Sequence, residues 1–90
     1  MSQTTDAVCS EFADKGLQIT VKALPEDRTY VLIEGDKMAF EFLGKLLLAH
    51  ASGEDCGFSL SPNSAGSALF SPTAEFGLYL HRLPCVEATR

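Results

Sequence analysis

No run of residues in the chain approaches the ~18 consecutive apolar positions that a membrane-spanning helix needs, so a membrane is not an expected partner. Concentrated positive charge is also missing. Seven basic residues face twelve acidic ones, for a formal net charge of −5. Lys15, Lys22, Arg28, Lys37, Lys45, Arg82 and Arg90 are scattered along the chain. A surface that tracks phosphates needs its cations clustered, so nucleic acid is not expected either. The first residues, "MSQTTDAVCSEFADKG", carry neither a basic stretch nor an apolar stretch of the kind a secretory signal has, and a cytoplasmic location is the corresponding expectation.

Cysteine is sparse. Cys9, Cys56 and Cys85 are an odd count at wide spacing with no C-x-x-C, which signals neither a disulfide framework nor a zinc ribbon. Three reduced thiols are expected. There is no G-x-S-x-G elbow, no glycine-rich phosphate loop and no internal repeat. Paired carboxylates occur only as Glu26–Asp27 and Glu54–Asp55, both in connecting segments. No cofactor and no catalytic role are therefore expected.

What remains is a hydrophobic fraction of 46%, too high for a disordered chain. Ninety residues suit one domain with a small core. Residues 1–15 read as an N-terminal tail or short helix with Thr5 or Asp6 as cap and Gly16 past its end. Residues 16–85 form the domain, and 86–90 a C-terminal tail. "LQITVKAL" alternates, with Leu17, Ile19 and Val21 on one face. "PEDR" supplies a turn. "TYVLIEG" then returns as an antiparallel partner, with Tyr30 and Leu32 on the face opposite Val31 and Ile33.

"GDKMAFEFLGKLLLAHASG" is the one main helix, with Asp36 near its start and Gly53 as its stop. At about 100° per residue, an apolar face centred on Leu43 takes in Ala39, Leu46, Leu47 and His50, flanked by Phe42 and Ala49. Met38 and Leu48 fall among the polar positions. The apolar arc is thus wider than one contact with a sheet requires.

"GEDCGFSL" resumes strand character with Cys56, Phe58 and Leu60 on one face. "ALF" reads as a short strand, and "FGLYLHRL" as a long last strand that Pro84 ends. Phe76, Leu78 and Leu80 are its expected core set. The resulting β-β-α-β-β-β order predicts an α+β, two-layer sandwich with a mostly antiparallel sheet.

Two groups of side chains are candidate sites. The first is the sheet face that the helix leaves open. Tyr30, Leu32, Tyr79 and His81 would lie there as an interface for a second copy or another protein, in a contact made pH-sensitive by the histidine. The second is a metal or thiol site built from His50, Cys56, His81 and Cys85, because two imidazoles and two thiolates can close a tetrahedral zinc site. H-x5-C and H-x3-C are not recognised ligand spacings, so the protein-binding reading leads and the metal- or thiol-dependent reading is its alternative. The nucleophilic pairing of Cys56 with His50 or His81 has no residue to orient the base.

The stretch "YVLIEGDKMAFEFLGKLLLAHASG" and the strand after it, about residues 29–60, resemble small bacterial immunity proteins of polymorphic toxin systems. The shared features are a hairpin strand, an "EG" step, a leucine-rich helix and further sheet. The resemblance implies a small acidic binder that blocks a toxin and carries no cofactor. It transfers no individual site residue.

Overall fold

The computed structural model describes residues 4–63 and 66–85. The expected tail at 86–90 lies outside them. The chain is a small α+β domain, the class read from the sequence. Its elements are α1 (Thr5–Phe12), β1 (Thr20–Ala23), β2 (Val31–Glu34), α2 (Lys37–Ser52), β3 (Gly57–Leu60), a 3-10 turn (Ser67–Leu69) and β4 (Leu78–His81).

The N-terminal segment is a helix, and its cap is Thr4, one residue before the nearer of the two expected caps. The Thr4 hydroxyl accepts from the Ala7 N–H at 3.0 Å, which satisfies one of the donors a helix start leaves open. Val8 and Phe12, four residues apart on one face, are both buried. Gly16, at φ +76°, lets the chain turn away.

β1 and β2 pair antiparallel with Val21 opposite Ile33 and Lys22 opposite Leu32. Asp27 organises the turn between them by accepting from both the hydroxyl and the N–H of Thr29, and these bonds hold its carboxyl below the usual carboxylate range. β3 and β4 form a second antiparallel pair, with Phe58 opposite Leu80 and Ser59 opposite Tyr79. The continuous sheet expected from the sequence is therefore divided into two two-stranded sheets.

The "ALF" strand is also revised. Gly66, at φ +84°, opens a 3-10 turn in which Phe70 N–H donates to Ser67 O, and only Phe70 then bridges to Ile19, in parallel. The chain that follows lies along β1: Ser71 N–H donates to Ile19 O at 2.8 Å, and Glu75 and Phe76 N–H both donate to Val21 O. Two successive donors on one carbonyl interrupt strand alternation. Phe76, an expected core residue, is consequently 45% exposed, and the strand begins only at Leu78. A Cβ at Gly77 would run into the Leu60 carbonyl, so glycine is required where the chain crosses that strand.

α2 starts where the sequence places it. Asp36 Oδ1 caps Ala39 N–H at 2.9 Å, and Gly53 ends the helix. Its rotation differs from the expectation. Ala39, Phe42, Leu46, Ala49 and His50 are buried, Leu43 is only half-buried, and Leu47 is 52% exposed. The buried arc centres on Leu46, about 60° from Leu43. The cause is α1, which packs against α2 and draws Phe42 inward. The Phe12 and Phe42 rings lie 5.4 Å apart at 59°, a tilted pairing that aromatic quadrupoles favour. Outside this contact Lys45 bonds Glu11 at 3.1 Å.

Cys56 and Cys85 form a disulfide with Cα atoms 5.8 Å apart, joining the start of β3 to the segment after β4. The expectation of three reduced thiols is thereby corrected. Cys9 is the free cysteine among the described residues.

Candidate functional site

The four expected interface residues fall in two places. Tyr30 and Leu32 belong to the β1–β2 hairpin, Tyr79 and His81 to β4, and the two sheets share no strand pairing. Tyr30, Tyr79 and His81 are exposed, but β2 does not follow the expectation: Leu32, expected on the open face, is half-buried, whereas Val31 and Ile33, expected opposite it, are exposed. Leu78 and Leu80 point the other way from Tyr79 and His81, as alternation requires. The Tyr79 side chain leans across its own sheet, since a Cβ at Gly57 would sit 2.8 Å from its hydroxyl. Part of its ring surface is thus spent within the hairpin.

The metal set is altered by the disulfide. Cys56 and Cys85 are bonded to each other, so neither offers a thiolate for a metal or a nucleophile for catalysis. His50 is buried in the last turn of α2, while His81 is exposed on β4. Among the described residues no group of three or more His, Cys, Asp or Glu is placed to hold a metal ion. The remaining thiol, Cys9, is poorly suited to reaction: burial pushes it up from the ordinary thiol range, and the Asp6 carboxylate adds to the shift. Protein purified without reductant is expected to carry no stoichiometric zinc by elemental analysis. About one zinc per chain would show that the thiols are bound to metal instead of to each other.

The structure brings together a different group of residues. Phe40, Leu47 and Leu48 are 48%, 52% and 73% exposed on α2. With Gly44 and Ala51 they recur at helical spacing and form a second apolar face, roughly opposite the buried one. Gly44 sits in the middle of this face, and a Cβ built on it meets nothing within 4 Å. A glycine inside a helix costs about 1 kcal/mol relative to alanine, and no internal contact explains this one. Its absent side chain leaves room for another backbone.

The signal for this face was present in the sequence as the overly wide apolar arc. What the sequence did not supply was the rotation of α2, which assigns Leu47 and Leu48 to the outside. No helix among the described residues is long and apolar enough to cross a membrane, so the exposed face is not part of a helical span.

The chain matches no protein-family model, no curated protein and no solved structure.

Proposed function

We propose that the chain is a non-enzymatic protein-binding module, and that its primary contact is with a second copy of itself through the outer face of α2. The observation that carries this reading is the second apolar face around Gly44, where large exposed side chains flank an open glycine.

A second copy fits because the face is complementary to itself. In an antiparallel pairing about a two-fold axis at Gly44, Phe40 of one copy meets Leu47 and Leu48 of the other. Lys37 of each copy then comes beside the C-terminal turn of the other α2, where the helix dipole favours a cation. Three side chains of this size, half to three-quarters exposed, offer on the order of 300–400 Å² per copy. A standard interface takes about 800 Å² from each partner. The pairing is accordingly weak and concentration-dependent, as suits a regulatory contact or one that yields to another protein. The immunity-type role implied by the resemblance is a proposal of the second kind, and the net charge of −5 suits a basic target.

The Cys56–Cys85 bridge bears on location. Cytosolic thiols are held reduced, whereas disulfides persist in oxidising compartments. An oxidising compartment therefore fits the bridge better than the cytoplasm does.

Sedimentation velocity tests the pairing. Wild type is expected to shift from monomer to dimer between micromolar and millimolar concentration, while Leu48→Glu stays monomeric with unchanged thermal stability. A wild type that is monomeric throughout, or a variant that dimerises equally well, would contradict the proposal. If Tyr30→Asp with Tyr79→Asp abolished the dimer and Leu48→Glu did not, the contact would lie on the sheets.

A further inference from the structure

Away from the outer face of α2, a cavity of about 390 Å³ opens between the start of α1 and the end of α2. Asp6 lines it from the first turn of α1, His50 from the last turn of α2, Glu54 and Asp55 from the connection to β3, and Phe58 from β3 itself. Its volume falls within the range of small-ligand sites.

Two independent features mark it. The first is charge. Among the described residues, three carboxylates line the cavity and no lysine or arginine does. Among the described residues the ion pair is Lys45–Glu11, which leaves Asp6, Glu54 and Asp55 without a cationic partner. Arg82 reaches the same connection, where its Nη1 donates to the backbone carbonyls of His50 at 2.6 Å and Asp55 at 3.2 Å, and among the described residues it forms no ion pair with these carboxylates. The positive end of α1 is already occupied, because Thr4 caps it and Asp6 lies in its first turn.

The second feature is His50. It is only 8% exposed, and its Nε2 is buried without a hydrogen-bond partner. Buried polar atoms are nearly always satisfied, and leaving one open is costly. A neutral imidazole with its proton on Nδ1 presents Nε2 as an acceptor. An acceptor on a residue that shares a cavity wall with three carboxylates calls for a donor that is positively charged, and Phe58 adds an aromatic surface for the cation or its alkyl stem.

We infer that this cavity binds a primary ammonium or guanidinium group, which donates to His50 Nε2 and is balanced by Asp6, Glu54 and Asp55. The group comes either from a free alkyl amine or from a lysine or arginine side chain of a basic protein. Both sources share the chemistry, and neither depends on the pairing of α2.

The test is titration of the isotope-labelled full chain, followed by NMR, with three probes: 1,4-diaminobutane, N-acetyl-arginine amide and neutral butyramide. The two cations are expected to give saturable shifts at Asp6, His50, Glu54 and Asp55, and butyramide none. Glu54→Gln with Asp55→Asn, both exposed positions, should weaken the cations by roughly tenfold or more while leaving the folded spectrum intact. His50→Gln, which keeps an acceptor, should retain more affinity than His50→Phe. If either His50 variant fails to fold, the carboxylate variant still decides the matter. Stronger binding of diaminobutane assigns the site to a free amine, and stronger binding of the arginine amide assigns it to a protein side chain. Absence of saturable shifts, equal shifts with butyramide, or binding unchanged in the carboxylate variant would overturn the inference.

Discussion

Replacing Phe42 by alanine is expected to destabilise the protein by about 3 to 5 kcal/mol. Phe42 is completely buried, and its ring rests against Phe12 of α1. The substitution removes apolar surface and also leaves a cavity where α1, α2 and the strands converge. Rigid neighbours can collapse into such a cavity only in part. A domain of this size has only about 5 to 15 kcal/mol of stability in total, so one side chain accounts for a large part of it. Leu43→Ala provides the contrast. Leu43 is half-buried at the margin of the same core, and its loss should cost less than half as much as that of Phe42. Urea denaturation of the two variants decides the rotation of α2. A larger loss at Leu43 than at Phe42 would return the centre of the buried arc to Leu43 and undo the outward assignment of Leu47 and Leu48.

Removing the disulfide is the second large effect. Cys56 and Cys85 are 29 residues apart, and closing a loop of that length restricts the unfolded chain enough to stabilise the fold by about 3 to 4 kcal/mol. Cys85→Ser should lose most of that, and the loss should match what wild type suffers on reduction. The reductant should leave the Cys85→Ser variant almost unchanged. Equal stability of wild type with and without reductant would mean that the bridge contributes nothing in solution. The bridge also spans β3 and β4, whose pairing it reinforces through the Arg82 N–H bond to Cys56 O at 2.8 Å. Fraying should therefore appear first at that hairpin, as faster hydrogen exchange from Phe58 to Leu60.

The readable part of this sequence was local periodicity. Leu17, Ile19 and Val21 alternate and are buried, and Asp36 and Gly53 bound α2 as capping chemistry requires. Leu78 and Leu80 face opposite to Tyr79 and His81 for the same reason. Relations between distant segments were not readable. Three widely spaced cysteines do not state which two will meet, and the bridge follows only once β3 and β4 are paired. Val8 and Phe12 gave too short a pattern to reveal that α1 covers α2, and this contact sets the rotation of the longer helix. Phe76 falls outside the core because strand alternation does not continue back through Glu75, where two N–H groups share the carbonyl of Val21. The candidate surface followed the same division. Tyr79 was recognisable as an exposed residue of an alternating strand, whereas Tyr30 precedes β2, and the placing of the two in different sheets was not readable. Leu48 stood out among polar neighbours, yet its membership in a continuous apolar face depended on α1. The cavity at His50 joins residues from 4 to 58 and had no sequence signature.

The pairing of α2 with α2 is tested most directly by cross-linking at its centre. In a Cys9→Ala background, Gly44→Cys places a thiol on the proposed two-fold axis, and Ser59→Cys places one beside Tyr79 on the outer face of β3. Under mild oxidation the Gly44→Cys protein should form a covalent dimer on a non-reducing gel, and the Ser59→Cys protein should remain monomeric. Cross-linking through Ser59→Cys alone, or through neither position at concentrations where wild type sediments as a dimer, would contradict the assignment of the contact to α2.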